Sequence, residues 1–419
     1  MESLRAAFEE AERSFDDEGR AACVIAAIKR YQQAGAQEKR ELNAFFGPRA
    51  KIVLLMAMRV IEAGDGQLGE YYLSQFLPEH LQQVNMLPSF LYWYGRAAYA
   101  RGKWARAAAL FEKHRTLVPH DEREAFYAGN AYENLGDWAR ARTSWQTAVQ
   151  ENNGFYEPRA NLERGGLPLA AEQVTSFDLS ELLSQPARCY DVPIFINARD
   201  RVGCLRQLVD WLCAAGYRKI HILDNDSTYP PLRVYYEELR QKGISVWYLR
   251  RNLGYKALWQ SGILNLLRVD TAYVYTDPDV VPDAQCPRDI VYQLAVLLSR
   301  HPYLSKFGLT LHTEDLTFYN RRHIEACESG LRLLPVGDGY FMPTDTTFAL
   351  YRNRRIYTLQ ESMRTRDSLR ARHLPWYYDF AHLPEDERYY MEHAEGTSSV
   401  TRHWREDSGP VRERGAENA

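Results

Sequence analysis

Residues 271–282 read Thr-Ala-Tyr-Val-Tyr-Thr-Asp-Pro-Asp-Val-Val-Pro, and the fold of this chain is predicted most directly from them. Positions 271–276 are small, aromatic or β-branched, a pattern typical of a short buried strand. Asp277 and Asp279 follow it, and Pro278 between them fixes the backbone. Carboxylates so spaced can converge on one divalent cation, because Mg²⁺ and Mn²⁺ prefer oxygen ligands. An exposed Asp-Pro-Asp turn is the alternative interpretation.

Three more strands precede this one, separated by segments with helical periodicity. Strands that alternate with helices of about a dozen residues predict a parallel, Rossmann-like α/β sheet. Ligands of such sheets bind beyond the carboxyl ends of the strands, so chemistry is expected there. The predicted strands are 192–197, 219–224, 244–249 and 271–276, and the predicted helices are 202–214, 232–242 and 256–267.

Polar residues follow each of the four predicted strands. Asp, Asn and Gly are ordinary turn formers, so a single cluster of this kind is weak support for a ligand site. The carboxyl ends of parallel strands share one edge of the sheet, so four clusters in succession indicate a ligand site at that edge. The clusters are Asn197-Ala198-Arg199-Asp200, Asp224-Asn225-Asp226-Ser227-Thr228, Arg250-Arg251-Asn252-Leu253-Gly254 and Thr276-Asp277-Pro278-Asp279.

Residues 191–282 resemble the nucleotide-binding half of GT-A-fold glycosyltransferases, especially those of family 2. The polar stretch 197–199 matches the one after that family's first strand, and 224–228 matches its Asp-Asn-x-Ser-Thr motif. Residues 252–254 match an Asn-x-Gly turn that opens a helix, and 277–279 match the D-x-D motif. The resemblance implies a metal-dependent, hexosyltransferase-type enzyme that uses Mn²⁺ or Mg²⁺ and a nucleotide-sugar donor, with UDP- and GDP-sugars favoured.

By this resemblance Asp224 and Asp226 bind the base or ribose, and Asp277 and Asp279 bind the ribose and the metal-bound diphosphate. The family usually has Gly where Asp226 stands, and small residues near the position of Lys256. Lys256 begins a predicted helix, where a donor phosphate is favoured, and a solvated surface lysine is the alternative. The predicted donor-binding residues are Asn197, Arg199, Asp224, Asp226, Asn252, Gly254, Lys256 and Asp277.

An inverting transfer requires a general base to take the proton of the acceptor hydroxyl. Asp345, in the predicted strand 344–351, is the first candidate and Asp338 the second. Either is alternatively a turn or capping carboxylate, and a retaining enzyme requires no such base. His373 is the preferred third metal ligand, ahead of His403, because neutral imidazole suits Mn²⁺.

The segment 371–378, Ala-Arg-His-Leu-Pro-Trp-Tyr-Tyr, is unusually aromatic for a loop. Sugars stack on aromatic faces, so Trp376, Tyr377 and Tyr378 are predicted to form an acceptor platform. Packing of the loop against the core is the alternative. Arg372 is assigned to the same acceptor side, and its guanidinium suits bidentate contacts to a diphosphate.

The first 165 residues are rich in Ala, Leu, Glu, Arg and Gln and predict an all-helical domain. Four of its residues recur 34 positions later, which resembles the helix–turn–helix unit of the tetratricopeptide repeat. In this interpretation Gly forms the turn, Ala lets the helices approach, and the aromatic residue fills the gap to the next unit. The recurring residues are Gly102, Trp104, Ala107 and Phe111, matched by Gly136, Trp138, Ala141 and Trp145.

The chain is thus predicted to join an all-α domain to an α/β domain. Its net charge of −3 argues against a general nucleic-acid binder, which needs a basic face. No C-x-x-C pair and no signal-peptide pattern is found, so a cytoplasmic location is expected, with a peripheral position at the inner face of the membrane as the alternative. The predicted parts are a helical-repeat domain at 1–165, a linker at 166–190, a GT-A domain at 191–405 with a late lid at 399–404, and a disordered tail at 406–419.

The predicted function is sugar transfer to a glycan, lipid-linked glycan or protein, in surface-polysaccharide or glycoconjugate biosynthesis. The repeats either bind a protein partner or acceptor, or act as a scaffold for self-association. A sugar nucleotidyltransferase is one alternative, but it usually has a Gly-rich basic loop, and 197–203 holds one Gly with Arg199 and Arg201. A non-catalytic repeat adaptor is the other, and the intact Asp277 and Asp279 oppose it.

Overall fold

The structure of the chain is a computed structural model. No helix of the residues it describes is long and apolar enough to cross a membrane. The predicted linker is described from residue 179 onwards, and His403, the predicted lid and the predicted tail lie outside the described residues. The described residues are 1–76, 86–152, 156–164, 179–267, 269, 271–302, 304–316, 324, 328, 335–352, 361–366, 369–379 and 382–394.

The N-terminal region is a succession of helices that pack in sequence order. Each buries an apolar face against its neighbours, because apolar residues recur at three- and four-residue spacing. A single-turn 3-10 helix precedes the fourth helix. The helices are α1 (Glu2–Arg13), α2 (Asp17–Gln33), α3 (Ala36–Phe46), α4 (Lys51–Glu62), α5 (Gly66–Ser74), α6 (Leu87–Ala100), α7 (Trp104–Arg115), α8 (Glu122–Asn134), α9 (Trp138–Glu151) and α10 (Tyr156–Arg164).

Equivalent glycines form the turns between α6 and α7 and between α8 and α9. Gly102 has φ 67° and Gly136 has φ 76°, in the left-handed region that favours glycine. Ala107 and Ala141 are fully buried where the paired helices meet. The 34-residue spacing therefore places the turn and the close approach as the sequence predicts.

Two helical glycines allow a close contact between paired helices that the repeat pattern above does not include. A Cβ atom at Gly95 would lie 2.6 Å from the ring of Phe111, and one at Gly129 would lie 2.4 Å from Trp145. These glycines are also 34 residues apart, so the same spacing contained the signal. Each aromatic side chain fills the space that the missing Cβ leaves, which locks α6 to α7 and α8 to α9.

The C-terminal region contains a mixed nine-stranded sheet and a three-stranded sheet within the described residues. The large sheet has the order β3-β2-β1-β4-β10-β6-β11-β9-β8, and the small sheet has the order β5-β12-β7. Strands β1 to β4 are mutually parallel, and β10 pairs antiparallel with β4. The strands are β1 (Ile194–Ala198), β2 (Ile220–Asp224), β3 (Ser245–Tyr248), β4 (Tyr273–Thr276), β5 (Val280–Pro282), β6 (Lys306–Gly308), β7 (Thr310–Leu311), β8 (Pro335–Val336), β9 (Gly339–Phe341), β10 (Ala349–Tyr351), β11 (Ser362–Thr365) and β12 (Arg370–His373).

The helices of this region follow the predicted alternation, with one difference. The predicted helix 256–267 is broken into a 3-10 turn and two short helices, because Gly262 has φ 74° and interrupts the helical hydrogen bonds. Consecutive strands β6 and β7 belong to different sheets, although one residue separates them. The helices are α11 (Ser180–Ser184), α12 (Val202–Ala215), α13 (Pro230–Gln241), α14 (Ala257–Gln260), α15 (Ile263–Leu266), α16 (Ile290–Ser299) and α17 (Glu385–His393).

The predicted loop 371–378 is also more regular than expected. Its first half is β12, which pairs antiparallel with β5 and parallel with β7. Its second half is the 3-10 helix Leu374–Tyr377. Because β5 begins one residue after Asp279, the pairing with β12 brings His373 beside the D-x-D segment.

The helical repeats and the sheet pack against each other through buried polar contacts. Arg123 at the start of α8 forms a 2.9 Å ion pair with Glu361, which precedes β11. Glu122 forms a 2.9 Å ion pair with Lys256, and Gln260 of α14 donates to the carbonyl of Glu151 at 3.2 Å. We call the two ion pairs the repeat–sheet contact.

Candidate functional site

Polar residues converge where β1, β2 and β4 end. We call this cluster, formed by Asn197, Asp224, Gly254, Asp277 and Asp279, the strand-end site. The strands are parallel and neighbouring, so their carboxyl ends open on the same edge of the sheet. The sequence reading predicted this convergence from four separate segments of chain.

Two side-chain amides fasten the turn after β3 to the ends of β1 and β2. Asn197 donates to the carbonyl of Gly254 at 3.3 Å, and Asn225 donates to the same carbonyl at 3.1 Å. The Asn225 side chain also accepts from the Leu253 amide at 2.7 Å, and the Asn252 side chain accepts from the Gly254 amide at 2.9 Å. Asn197, Asn252 and Gly254 therefore lie together, as a wall of the strand-end site.

Asp277 is held by neutral groups. Its carboxylate accepts from Asn197 at 3.4 Å and from the hydroxyl of Thr346, and its amide donates to the Thr346 carbonyl at 2.8 Å. Burial raises the pKa of Asp277 well above its ordinary value, and the nearby charges of Asp279 and Asp345 raise it further. The charged form of Asp277 is therefore disfavoured, and no described residue places a cation next to its carboxylate to offset this.

Asp279 is buried, and its two oxygens differ. Oδ2 accepts from the guanidinium of Arg201 and lies 3.5 Å from His373 Nε2. Oδ1 is buried and accepts no hydrogen bond from the described residues. The Leu374 amide donates to the Asp279 carbonyl at 2.8 Å, which fixes the D-x-D segment against β12.

Arg201 joins the site to α17. Its guanidinium donates to Glu387 at 2.6 Å as well as to Asp279, and it lies 3.9 Å from the ring centroid of Tyr390. Asp386 accepts from the Gly203 amide at 2.6 Å, so α17 lies over the loop after β1. Arg201 and Glu387 were not among the predicted site residues, because Glu387 is 186 positions away and carries no motif.

Of the two carboxylates at the end of β2, Asp224 is buried and Asp226 is exposed. Asp224 accepts from the Ser227 amide at 3.3 Å and from the Tyr236 hydroxyl at 2.9 Å, and burial raises its pKa. Asp226 is exposed with φ 67°, in the left-handed region that favours glycine. Arg199 is half-buried, with Nε 3.9 Å from the carboxylate of Asp200.

The two candidate bases lie far apart. Asp345 is exposed and immediately precedes Thr346, the residue that holds Asp277. Asp338 lies in the turn between β8 and β9 and forms a 2.7 Å ion pair with Arg300. Asp338 therefore does not join the strand-end site, since β9 is separated from β4 by three strands.

Lys256 does not lie where a donor phosphate was predicted. Its ammonium is buried, donates to Glu122 at 2.9 Å and donates to the His120 carbonyl at 2.6 Å. The predicted helix N-terminus is a 3-10 turn that faces the repeats, so both sequence interpretations of Lys256 are corrected.

The predicted acceptor residues lie in β12 and in the 3-10 helix that follows it. Arg372 forms ion pairs with Asp283 at 3.0 Å and Asp315 at 2.6 Å, so carboxylates of the chain already occupy its guanidinium. The Tyr377 hydroxyl donates to the His312 carbonyl at 2.8 Å. The ring of half-buried Trp376 lies 4.8 Å from that of His373, whose Nε2 lies 3.5 Å from Asp279.

The residues of the strand-end site supply some of the ligands that a divalent cation needs. Among the described residues no three His, Cys, Asp or Glu side chains are arranged to hold a metal ion together. Asp279 nevertheless offers an unsatisfied buried oxygen, and Asp277 carries a carboxylate whose charge burial disfavours. Mg²⁺ commonly binds through one or two carboxylates, with substrate phosphates and water as the other ligands.

Comparison with known proteins supports the repeat region. Residues 125–152, which include most of α8 and all of α9, match the family model for the tetratricopeptide repeat. This match confirms the tetratricopeptide-like prediction for the second repeat unit. A search of curated proteins finds no match to the chain.

Among solved structures, a variant of the Thermobaculum terrenum O-GlcNAc transferase is similar at 16% identity. The alignment covers 53% of this chain and 44% of that chain, with a TM-score of 0.25. The chain thus spans less than half the length of that transferase, and a likeness of this size does not establish a shared fold.

Proposed function

We propose that this chain transfers a sugar from a nucleotide-sugar donor, with a divalent cation bound at Asp277 and Asp279. The observation that carries the proposal is the convergence of Asn197, Gly254 and the D-x-D carboxylates at one edge of a parallel sheet. For residues 191–394 we propose a GT-A arrangement, supported by the order of the motifs along β1 to β4.

Asp277 and Asp279 would both bind the cation, but different neighbouring groups hold the two carboxylates in place. Asp279 has Oδ1 available, while Arg201 keeps Oδ2 in place. Asp277 is oriented by Asn197 and Thr346, which are neutral and leave its negative charge for the cation. The cation, when bound, stabilises the negative charge that grows on the leaving diphosphate.

Asp345 is the side chain that we assign as general base. It is exposed, so an acceptor hydroxyl has access to it, and its neighbour Thr346 holds Asp277 by both main chain and side chain. A base must lie close to the reacting atoms before its pKa matters. Trp376 lies on the β12 side of the same site and would stack on the acceptor, for which a glycan or glycolipid is proposed.

The test is thermal stability against a panel of UDP-, GDP-, CMP- and TDP-sugars, with and without Mn²⁺. One donor should raise the melting temperature only with Mn²⁺; binding at 100 times Kd stabilises the folded state by about 2.7 kcal/mol. Asp277→Asn should abolish the Mn²⁺-dependent rise while leaving the ligand-free melting temperature unchanged or higher, because burial disfavours the charge that it removes.

Two outcomes would contradict the proposal. The first is a folded wild-type protein that no donor stabilises, which would favour a repeat adaptor with a degenerate site. The second is an Asp277→Asn protein that keeps the full Mn²⁺-dependent rise, which would show that the cation binds elsewhere. Asp338→Asn is the matched control, since Asp338 is an exposed carboxylate paired with Arg300 outside the site.

A further inference from the structure

The turn of residues 252–256 is held from two sides. On one side the amides of Asn197 and Asn225 bind the carbonyl of Gly254, at 3.3 Å and 3.1 Å. These contacts make the turn a wall of the strand-end site. Tyr275 of β4 donates to the Tyr255 carbonyl at 3.0 Å, so the next residue is also fixed to the sheet.

On the other side the repeats hold the same turn. The Lys256 ammonium donates to the Glu122 carboxylate at 2.9 Å and to the His120 carbonyl at 2.6 Å. Both charged side chains are buried, at 6% and 1% exposure. Glu122 is the first residue of α8, so its carboxylate is fixed by a helix and not by a loop.

A buried ion pair is a costly way to join two domains. Desolvation opposes both charges, and apolar residues of similar size often stabilise a contact as well or better. Burial by itself lowers the pKa of Lys256, but the charge and hydrogen bond of Glu122 outweigh this effect and leave that pKa raised. The pair offers directionality, because Lys256 stays charged and points at one carboxylate.

We infer that Glu122 is a positioning residue for the nucleotide donor. It acts through Lys256 on the turn whose Gly254 carbonyl is part of the strand-end site. The inference rests on the proposed function and adds a role for the helical repeats: they complete the donor site of the sheet domain. The repeats are then required for donor binding even when the acceptor is small.

The test compares wild type, Glu122→Gln and Lys256→Met in the full chain. Lys256→Met is the second variant because it leaves only Glu122 buried, and burial raises the pKa of Glu122, which favours its neutral form. Glu361→Gln is the matched control, since it breaks the other ion pair of the repeat–sheet contact without touching the turn. UDP, GDP, CMP and TDP with Mn²⁺ are the probes, and their binding is measured by calorimetry. Hydrogen–deuterium exchange is followed in residues 250–260.

Glu122→Gln and Lys256→Met should weaken binding of the nucleotide that wild type prefers by roughly 2- to 30-fold. Exchange at residues 252–256 should rise in both variants. Glu361→Gln should lower the melting temperature yet leave nucleotide affinity and exchange in the turn as in wild type. A merely structural role for Glu122 would make all three variants behave alike.

Unchanged exchange in the turn of both variants would overturn the inference, whatever the nucleotide result. Raised exchange with unchanged nucleotide affinity would overturn it as well, because the turn would then move without affecting the site. Failure of wild type to bind any of the four nucleotides contradicts the proposed function instead. Exchange in the turn still decides whether Glu122 positions it, so the two failures are distinguishable.

Discussion

The repeat–sheet contact and the strand-end site lie on either side of the turn 252–256. They differ in how their buried carboxylates are paired with cations. In the repeat–sheet contact each carboxylate faces a cation across the domain boundary: Glu122 faces Lys256, and Glu361 faces Arg123, which also lies 3.4 Å from Asp121. Both pairs have a separation of 2.9 Å. Such matched charges fasten one domain to the other.

The strand-end site has more carboxylates than cations. Asp279 and Glu387 share the single guanidinium of Arg201, and Asp277 has only neutral hydrogen-bond donors among the described residues. Burial raises the pKa of Asp277 and of Glu387. Carboxyl groups with such perturbed pKa values cluster at functional sites, and a bound cation would favour their charged forms.

The largest effect is expected at Asp345. Asp345→Asn should lower the rate of transfer by about 10²–10⁴-fold, the usual contribution of a general base, while donor affinity stays as in wild type. The rate is measured as nucleoside diphosphate released from the donor that the stability panel identifies. Asp338→Asn should retain full activity. Loss of donor binding by Asp345→Asn would instead place this carboxylate in the donor or metal site.

Substitution of Arg123 is expected to lower stability strongly without changing donor affinity. Arg123→Met removes the guanidinium that pairs with buried Glu361 and with Asp121, which should lower the unfolding free energy by about 3–5 kcal/mol. Denaturant titration measures this loss, and donor affinity of the folded fraction should not change. A loss of affinity larger than that caused by Glu122→Gln would show that the two ion pairs of the repeat–sheet contact do not have separate roles.

A smaller, pH-dependent effect is expected at Lys306 of β6. This lysine is fully buried and donates to the Tyr351 hydroxyl at 3.0 Å, and burial lowers its pKa to about 7. An unfolded lysine titrates near 10.4, so between about pH 7 and 10 the unfolded chain binds one more proton than the folded chain. The unfolding free energy should therefore rise with pH, by up to about 1.4 kcal/mol per unit.

Lys306→Met removes this contribution, so its stability should rise less with pH than that of wild type. The comparison is made by denaturant titration at pH 7, 8 and 9, where groups common to both proteins cancel. Parallel curves would mean that Lys306 stays charged in the folded protein. The charged residues that contribute to its environment are Asp345, Arg364, Arg123 and Glu361.

The sequence predicts local features of this chain better than contacts between distant segments. The strands β1 to β4 and the helices α12 and α13 lie within about two residues of their predicted bounds, because their periodicity is strong. The predicted helix 256–267 is too long, because Gly262 has φ 74° and interrupts the helical hydrogen bonds. The change of sheet between β6 and β7 is not visible in the sequence, because a pattern of apolar residues does not reveal which sheet a strand joins.

The same distinction applies to the site. Asp277, Asn197 and Gly254 were found because each follows a predicted strand, and strand ends converge by topology. Arg201, Thr346 and Glu387 were missed because their importance comes from the partners they contact. Lys256 was assigned to the wrong neighbour, since a sequence does not show which surface of the sheet the repeats cover.

By itself the sequence determined the helical repeats, the parallel strands and the polar residues at the strand ends, because these depend on periodicity and on turn chemistry within short segments. The tertiary structure decided which charges neutralise one another: Lys256 with Glu122, Arg201 with Asp279 and Glu387, and Arg372 with Asp283 and Asp315. Ion pairing depends on distances of a few ångströms between segments up to 186 residues apart, and such distances are set only when the domains pack.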